Sequence, residues 1–261
     1  MFETLIYSLI AGVAVGFAAG YLGSIMVLEK MALVGDAMSH VALPGLALGV
    51  LFGFSPLLGG FLFLFVTAII IWQVGRSTKL SFETIVGTAF TLALAIGILL
   101  YGDRLDALEE ALFGDITRVT SMYALSSVIA SVAVIFLTHF IYSNLVLSLI
   151  SEELAKSKGI KTAAVNLLYL LLVSVIVAIG IQVTGTLLVG FLVVTPAAAA
   201  RIVSGNLSTY RNLSAVFGAV SAISGILFST TMNVLPGPLI VISGVAIFAI
   251  MLTYRKFKKM I

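Results

Sequence analysis

Residues 4–27 read TLIYSLIAGVAVGFAAGYLGSIMV and contain no charged side chain. An α-helix needs about 20 apolar residues to cross the hydrocarbon core of a bilayer, so this run is long enough to span one. On such a helix Gly12, Gly16 and Gly20 share one face, which lets a neighbouring helix approach closely. We expect that neighbour to belong to the same chain; the alternative is a seam between two copies.

The rest of the chain repeats this apolar pattern. Hydrophobic residues make up 61% of its 261 positions and charged residues 10%, far from the composition of a water-soluble domain. Lipid offers backbone groups no hydrogen-bond partner, so apolar stretches of this length must be helical. Eight further stretches lie near 31–52, 55–74, 84–101, 119–142, 162–182, 184–203, 210–230 and 236–254. The sequence therefore predicts an all-α polytopic membrane protein with eight or nine transmembrane helices, as a single domain over residues 1–261.

Basic residues are concentrated on one side of this arrangement. If the loop 143–161 is cytoplasmic, all of the 14 Lys and Arg residues except Arg104 and Arg118 lie on the cytoplasmic side. The C-terminus is then cytoplasmic and the N-terminus external. The basic residues lie in short loops beside the spans, where they set the orientation of the chain in the membrane. The net charge of +3 is therefore not evidence for a nucleic-acid partner, and the expected contact is with membrane lipids. We expect no cleaved signal peptide, since MFETLIYSLI has an acid where a signal peptide is basic.

The longest polar break between spans is YGDRLDALEEALFGDITR, residues 101–118. Its leucines repeat at helical spacing, and Gly114 can end the helix. We expect a short helix on the external surface whose acidic face is solvated. The alternatives are a docking surface for an external delivery protein and an acidic funnel that concentrates cations. The acidic residues of the segment 103–115 are Asp103, Asp106, Glu109, Glu110 and Asp115.

One stretch places ionisable groups inside an apolar span: EKMALVGDAMSHVALPGLALG, residues 29–49. On a helix Asp36 and His40 lie one turn apart on the same face. Pro44 cannot donate to the carbonyl of His40, so we expect a kink that frees this oxygen. The chain has no cysteine, and a carboxylate with a neutral imidazole suits a divalent transition-metal ion. We predict a metal site at Asp36 and His40; the alternative is a hydrogen-bonded pair that joins two helices.

A second intramembrane proline, Pro196, lies in TGTLLVGFLVVTPAAAAR, residues 184–201. It removes the donor for the carbonyl of Leu192, so we expect a helix kink at Pro196 as well. A broken helix of small residues can move or line a cavity, although a proline accommodated by neighbouring helices is equally ordinary.

The loop SEELAKSKGI, residues 151–160, predicts a two-turn helix. Ser151 can cap its N-terminus and Gly159 can end it in a left-handed conformation. A compact connection between two spans is a sufficient explanation of this loop. The spacing of Glu153, Ala155 and Gly159, E-x-A-x-x-x-G, is also similar to the cytoplasmic coupling loop by which ABC permeases contact their ATPase.

GDAMSHVALPGLALG, residues 35–49, resembles the signature of the ABC-3 permeases, the membrane subunits of bacterial and archaeal importers for zinc, manganese and sometimes iron. The E-x-A-x-x-x-G loop, the span 184–201 and VLPGPLIVISG at 234–244 follow in that family's order. One departure is that family members often have an aspartate shortly before the coupling-loop alanine, where this chain has Glu152 and Glu153.

This resemblance implies a homodimer in the cytoplasmic membrane of a bacterium or archaeon. It further implies two cytoplasmic ABC ATPase subunits, contacted through Glu153, Ala155 and Gly159, and an extracytoplasmic metal-binding protein. Asp36 and His40 match the acid and histidine that the family associates with metal at the gate of the translocation path.

The chain is expected to be a transport subunit and not an enzyme. It lacks the pattern G-x-x-x-x-G-K-[ST], so ATP hydrolysis is expected on a separate subunit. The metal, zinc, manganese or iron, is then a transported substrate and not a permanently bound cofactor. The alternatives are a permease for an iron chelate or cobalamin, and an ion-gradient-driven metal carrier that works alone.

Overall fold

The computed structural model describes residues 2–114 and 119–258 of the chain. Within these ranges all regular secondary structure is helical: α1 (Phe2–Leu28), α2 (Ala32–Val41), α3 (Leu43–Phe52), α4 (Pro56–Ser77), α5 (Phe82–Tyr101), α6 (Leu105–Phe113), α7 (Ser121–Ile150), α8 (Glu152–Ser157), α9 (Thr162–Thr184), α10 (Val189–Val203), α11 (Leu207–Met232) and α12 (Pro236–Lys258). With α2 and α3 taken together, eight helical segments are long and apolar enough to cross a membrane, and α10 is a shorter apolar helix. The predicted polytopic helical fold is confirmed.

The glycine face of α1 packs against α11. A Cβ atom at Gly16 would lie 2.5 Å from the carbonyl oxygen of Gly218, and one at Gly20 would lie 2.1 Å from that of Ser214. These are backbone atoms that cannot rotate away, so the two helices can touch only because the side chains are absent. The predicted packing within one chain is confirmed.

The helix α10 is short because the chain turns before it. Gly185 adopts a left-handed φ of +77°, which ends the helical run after Thr184. The start of α10 lies near the middle of α1, since a Cβ at Gly180 would be within 4 Å of both Val189 and Val15. Its other end lies beside the last turn of α1, where Arg201 Nη1 donates to the Val27 carbonyl at 3.0 Å. The predicted span 184–203 therefore reaches from the middle of the bundle to one face.

The short helix α6 is docked into the bundle at this turn. The backbone N–H groups of Thr186 and Leu187 donate to the carbonyls of Ala111 and Leu112, each at 3.0 Å. The opposite side of α6 is polar, and Asp106 and Glu109 are exposed as expected. The expected short surface helix is present, and it also supplies hydrogen-bond acceptors to an interior turn. Asp115 and the side chain of Glu110 lie outside the described part.

Several helix ends share the face that carries α8, which we call the α8 face. Trp72 Nε1, near the end of α4, donates to the carbonyl of Ala163 at the start of α9, 2.7 Å away. The hydrogen bond from Arg201 to Val27 brings the ends of α1 and α10 together. The basic residues that follow these ends were predicted to lie on one side, and this arrangement agrees with that prediction.

Candidate metal site

Asp36 and His40 lie on α2, directly before a break in the membrane-spanning segment. The helix ends at Val41, and α3 begins at Leu43 with Pro44 in its first turn. The N–H of Ala42 points back to the carbonyls of Ser39 and His40. Pro44 has no N–H, so it leaves the His40 carbonyl without its usual donor four residues later.

The imidazole of His40 is buried, and one of its nitrogens has no partner among the described residues. The residue is 9% exposed, and its Nδ1 has no hydrogen-bond partner among the described residues. Its ring packs against Phe90 of α5, with the centroids 5.3 Å apart. A buried nitrogen without a partner is costly and calls for an explanation, and one explanation is a metal ion that binds there.

Asp36 is half-buried one turn away. Its backbone carbonyl accepts a hydrogen bond from Ser39 Oγ at 2.6 Å, which holds the turn between the two candidate ligands. No hydrogen bond or ion pair between the side chains of Asp36 and His40 forms in this structure. The described residues also contain no cluster of three or more His, Cys, Asp or Glu side chains that could hold a metal ion. Among the described residues, the candidate ligands here are therefore Asp36 and His40.

The first turn of α10 contacts the backbone of Asp36. A Cβ atom at Gly190 would lie 2.5 Å from Asp36 Cα and 2.8 Å from its backbone nitrogen. The neighbouring Gly35 faces the carbonyl of Gly190 and the Met26 sulfur. Sequence reasoning missed this contact. The sequence contains one signal for this contact: Gly190 follows the turn TGTLL, in a span that was predicted to be broken at Pro196.

Pro196 lies inside α10, which is helical on both sides of it. The interruption in this part of the chain falls earlier, at the turn that begins with Gly185. Pro196 itself is buried, as are Ala197, Ala199 and Ala200 of the same helix. The structure therefore brings Gly190, and not Pro196, against the backbone of Asp36.

The loop 151–160 forms the predicted two-turn helix. Ser151 Oγ accepts a hydrogen bond from the N–H of Leu154 at 3.2 Å, and Lys156 pairs with Glu152 at 2.7 Å. Gly159 has a left-handed φ of +76°, and the N–H of Ile160 closes the end on the carbonyl of Ala155 at 3.1 Å. Among the predicted coupling residues, Ala155 is fully buried, whereas Glu153 and Gly159 are exposed.

The order of these features along the chain matches one family throughout. The sequence profile of the ABC 3 transport family matches residues 1–255. This chain belongs to the ABC 3 transport family. It is 31% identical over 245 residues to the manganese transport system membrane protein MntC of Listeria innocua, covering 93% of this chain and 88% of that protein. It is 27% identical over 260 residues to the high-affinity zinc uptake system membrane protein ZnuB of Haemophilus influenzae, covering 98% and 99% of the two chains.

A solved structure has the same fold. The chain superposes on PsaBC from Streptococcus pneumoniae, determined in complex with a Fab, with a TM-score of 0.84 and 30% sequence identity. The match covers 96% of this chain and 91% of the other. The expected family and the helical membrane architecture are both confirmed.

Proposed function

We propose that this family member is the permease subunit of an ATP-driven importer of divalent transition-metal ions, with Asp36 and His40 as ligands on the ion's path. The observation that carries this proposal is the buried Nδ1 of His40, which has no partner in the described part of the chain and lies one turn from Asp36 at a break in a membrane-spanning segment. Intramembrane ionisable groups are costly and commonly mark transport pathways.

The cation explains why these groups are in the membrane. A divalent ion accepts electron pairs from a carboxylate and a neutral imidazole, and its charge offsets the burial of Asp36. The helix break supports the same role, because a discontinuous helix offers backbone oxygens that an ordinary helix uses internally. A hydrogen-bonded Asp36–His40 pair would explain the residues without a metal, but the two side chains do not bond each other in this structure.

Asp36 and His40 supply two side-chain ligands, whereas a transition-metal ion usually takes four or more ligands. A second copy of the chain would contribute another Asp36 and His40 and bring the number to four. The proposal therefore includes a homodimer in which both copies contribute to the ion path.

The cargo is a divalent first-row metal: zinc, manganese or iron. The relatives MntC and ZnuB are named for manganese and zinc transport. Carboxylate and imidazole ligands accept each of these ions, and selectivity depends on geometry and metal availability more than on affinity. The metal is substrate in this proposal, and no resident cofactor is part of it.

Energy would come from two cytoplasmic ABC ATPase subunits that contact α8. Glu153 and Gly159 are exposed there, while the buried Ala155 holds the helix against its own chain. With α8 cytoplasmic, α6 faces the outside, where a metal-binding protein would deliver the ion. The protein would reside in the cytoplasmic membrane of a bacterium or archaeon.

The test is transport by the complex in liposomes with manganese, zinc and iron. Asp36→Asn keeps the side-chain shape but removes the charge, so we expect it to abolish uptake while the ATPase still co-purifies. His40→Gln should do the same. The matched control is His139→Gln, since His139 Nδ1 lies 3.0 Å from Tyr21 Oη and serves a contact between α1 and α7. That variant should lose stability and keep transport.

Two results would contradict the proposal. Uptake by Asp36→Asn at the wild-type rate would remove Asp36 from the ion path. Uptake driven by an ion gradient, with the chain alone and without ATPase, would replace the importer with a secondary carrier.

A further inference from the structure

A cavity of about 300 Å³ lies on the α8 face, away from Asp36 and His40. It is formed where the end of α10 meets the last turns of α12. Its lining residues are Ile202 and Val203 from α10, and Tyr254, Arg255 and Lys258 from α12. The proposed metal path and the coupling helix use none of these residues.

The charge of the cavity favours an anion. Arg255 and Lys258 are three residues apart on α12, so they lie on neighbouring positions of one helix face. Among the described residues, no acidic side chain lines the cavity, and neither Arg255 nor Lys258 forms an ion pair. Two cations beside one cavity repel each other, and a phosphate group would relieve this repulsion with charge-assisted hydrogen bonds.

The position of the cavity favours a lipid phosphate over a soluble one. The apolar run of α12 ends here, and the side chains around this end include Leu252, Tyr254 and Phe257, which are 47%, 57% and 64% exposed. Large exposed aromatic and apolar residues beside cations are typical of the boundary between hydrocarbon and headgroups. Ile202 and Val203 add an apolar wall that a free phosphate ion would not need.

We propose that this cavity binds the phosphate of an anionic membrane phospholipid. Arg255 and Lys258 would hold the phosphate, Tyr254 would lie at headgroup level, and the acyl chains would follow Ile202 and Val203 into the bilayer. Basic pockets between transmembrane helices on the cytoplasmic side are a recognised class of lipid site. Such a lipid would join α10 to α12 and would stabilise the folded chain by binding to it.

The test measures retention of phosphatidylglycerol by the full-length chain, using native mass spectrometry after transfer from mixed phosphatidylglycerol and phosphatidylcholine bilayers. The double variant Arg255→Gln/Lys258→Gln should retain about ten-fold less phosphatidylglycerol than wild type. The control, Lys79→Gln/Lys256→Gln, removes the same charge from exposed positions that do not line the cavity. It should stay within about two-fold of wild type.

A second variant keeps the charges and changes the shape. Val203→Phe would fill part of the cavity, and it should lower retention of phosphatidylglycerol while Arg255 and Lys258 remain.

Thermal unfolding of wild type with inorganic phosphate, in place of lipid, separates the two sources of the anion. Stabilisation by inorganic phosphate equal to that by phosphatidylglycerol would overturn the lipid assignment. Equal retention of phosphatidylglycerol by the Arg255→Gln/Lys258→Gln variant and by its control would overturn the site.

Discussion

Gly190 of α10 touches the backbone of Asp36 on α2, because a Cβ at Gly190 would lie 2.5 Å from Asp36 Cα. Real Cβ atoms essentially never come this close to another heavy atom. Any side chain at position 190 would therefore push α10 and α2 apart at the proposed metal ligand. The contact makes the position of Asp36 depend on a residue of a different helix.

Gly190→Ala should reduce metal uptake by about ten-fold or more, because a displacement of about 1 Å at a reacting or binding group can cost about a hundred-fold in rate. The control is Gly75→Ala in α4, whose added Cβ would meet only Ile85 Cδ1 at an ordinary 3.7 Å. This second variant should transport normally and gain slightly in stability, since alanine is a better helix former than glycine. Uptake in liposomes and thermal unfolding separate an effect on the site from a loss of folding. Normal uptake by Gly190→Ala would show that Asp36 tolerates the shift.

Gly159→Val should weaken co-purification of the ATPase. A Cβ at Gly159 would meet no atom of this chain within 4 Å, so within the chain the substitution acts through the left-handed backbone, at about 1–2 kcal/mol. Gly159→Asn is the matched control, because asparagine tolerates this conformation better than other residues with a side chain. It should retain most of the ATPase. A normal pull-down by the valine variant would argue against the proposed role of this loop.

Local signals in the sequence predicted local structure well. The glycine face of α1 and the two ends of α8, at Ser151 and Gly159, depend on residues within a few positions of each other. Hydropathy located nearly all the membrane-crossing segments for the same reason, since a span of about 20 residues carries its own signal. The family resemblance rested on motifs of this kind and was also correct.

Long-range contacts could not be read in the same way. The docking of α6 onto Thr186 and Leu187 joins residues about 75 positions apart. Neither segment contains a sequence signal that identifies the other as its contact. The shortness of α10 follows from that docking and from the left-handed Gly185, whereas apolar composition alone left eight and nine spans both open. The contact of Gly190 with Asp36 was missed because a glycine in a span has many possible neighbours.

The orientation of the chain in the membrane can be measured by cysteine labelling. The chain has no native cysteine, so a single introduced one reports its own side. Ser157→Cys lies on α8 and Asp106→Cys on α6, and both positions are exposed. A membrane-impermeant thiol reagent added to intact cells should label Asp106→Cys only, and Ser157→Cys should react only after the cells are opened. Labelling of Ser157→Cys in intact cells would reverse the orientation assigned from the basic loops.

The pH dependence of stability is expected to reflect Glu29, which lies between α1 and α2. Burial raises the pKa of this carboxyl from 4.5 to about 7. The folded state therefore holds the proton more tightly than the unfolded chain, so the free energy of unfolding falls as pH rises from 4.5 to 7 and stays lowered above that. Glu29→Gln removes this cost and should be more stable than wild type by on the order of 1–3 kcal/mol at about pH 8.

The advantage of Glu29→Gln should shrink to nothing below about pH 3.5, where the carboxyl is protonated in both states. Thermal unfolding in detergent across this range measures the difference between variant and wild type. Glu3→Gln is the control, since Glu3 is exposed at the opposite end of α1. A stability difference for Glu29→Gln that does not change with pH would mean that the substitution acts through packing and not through the proton.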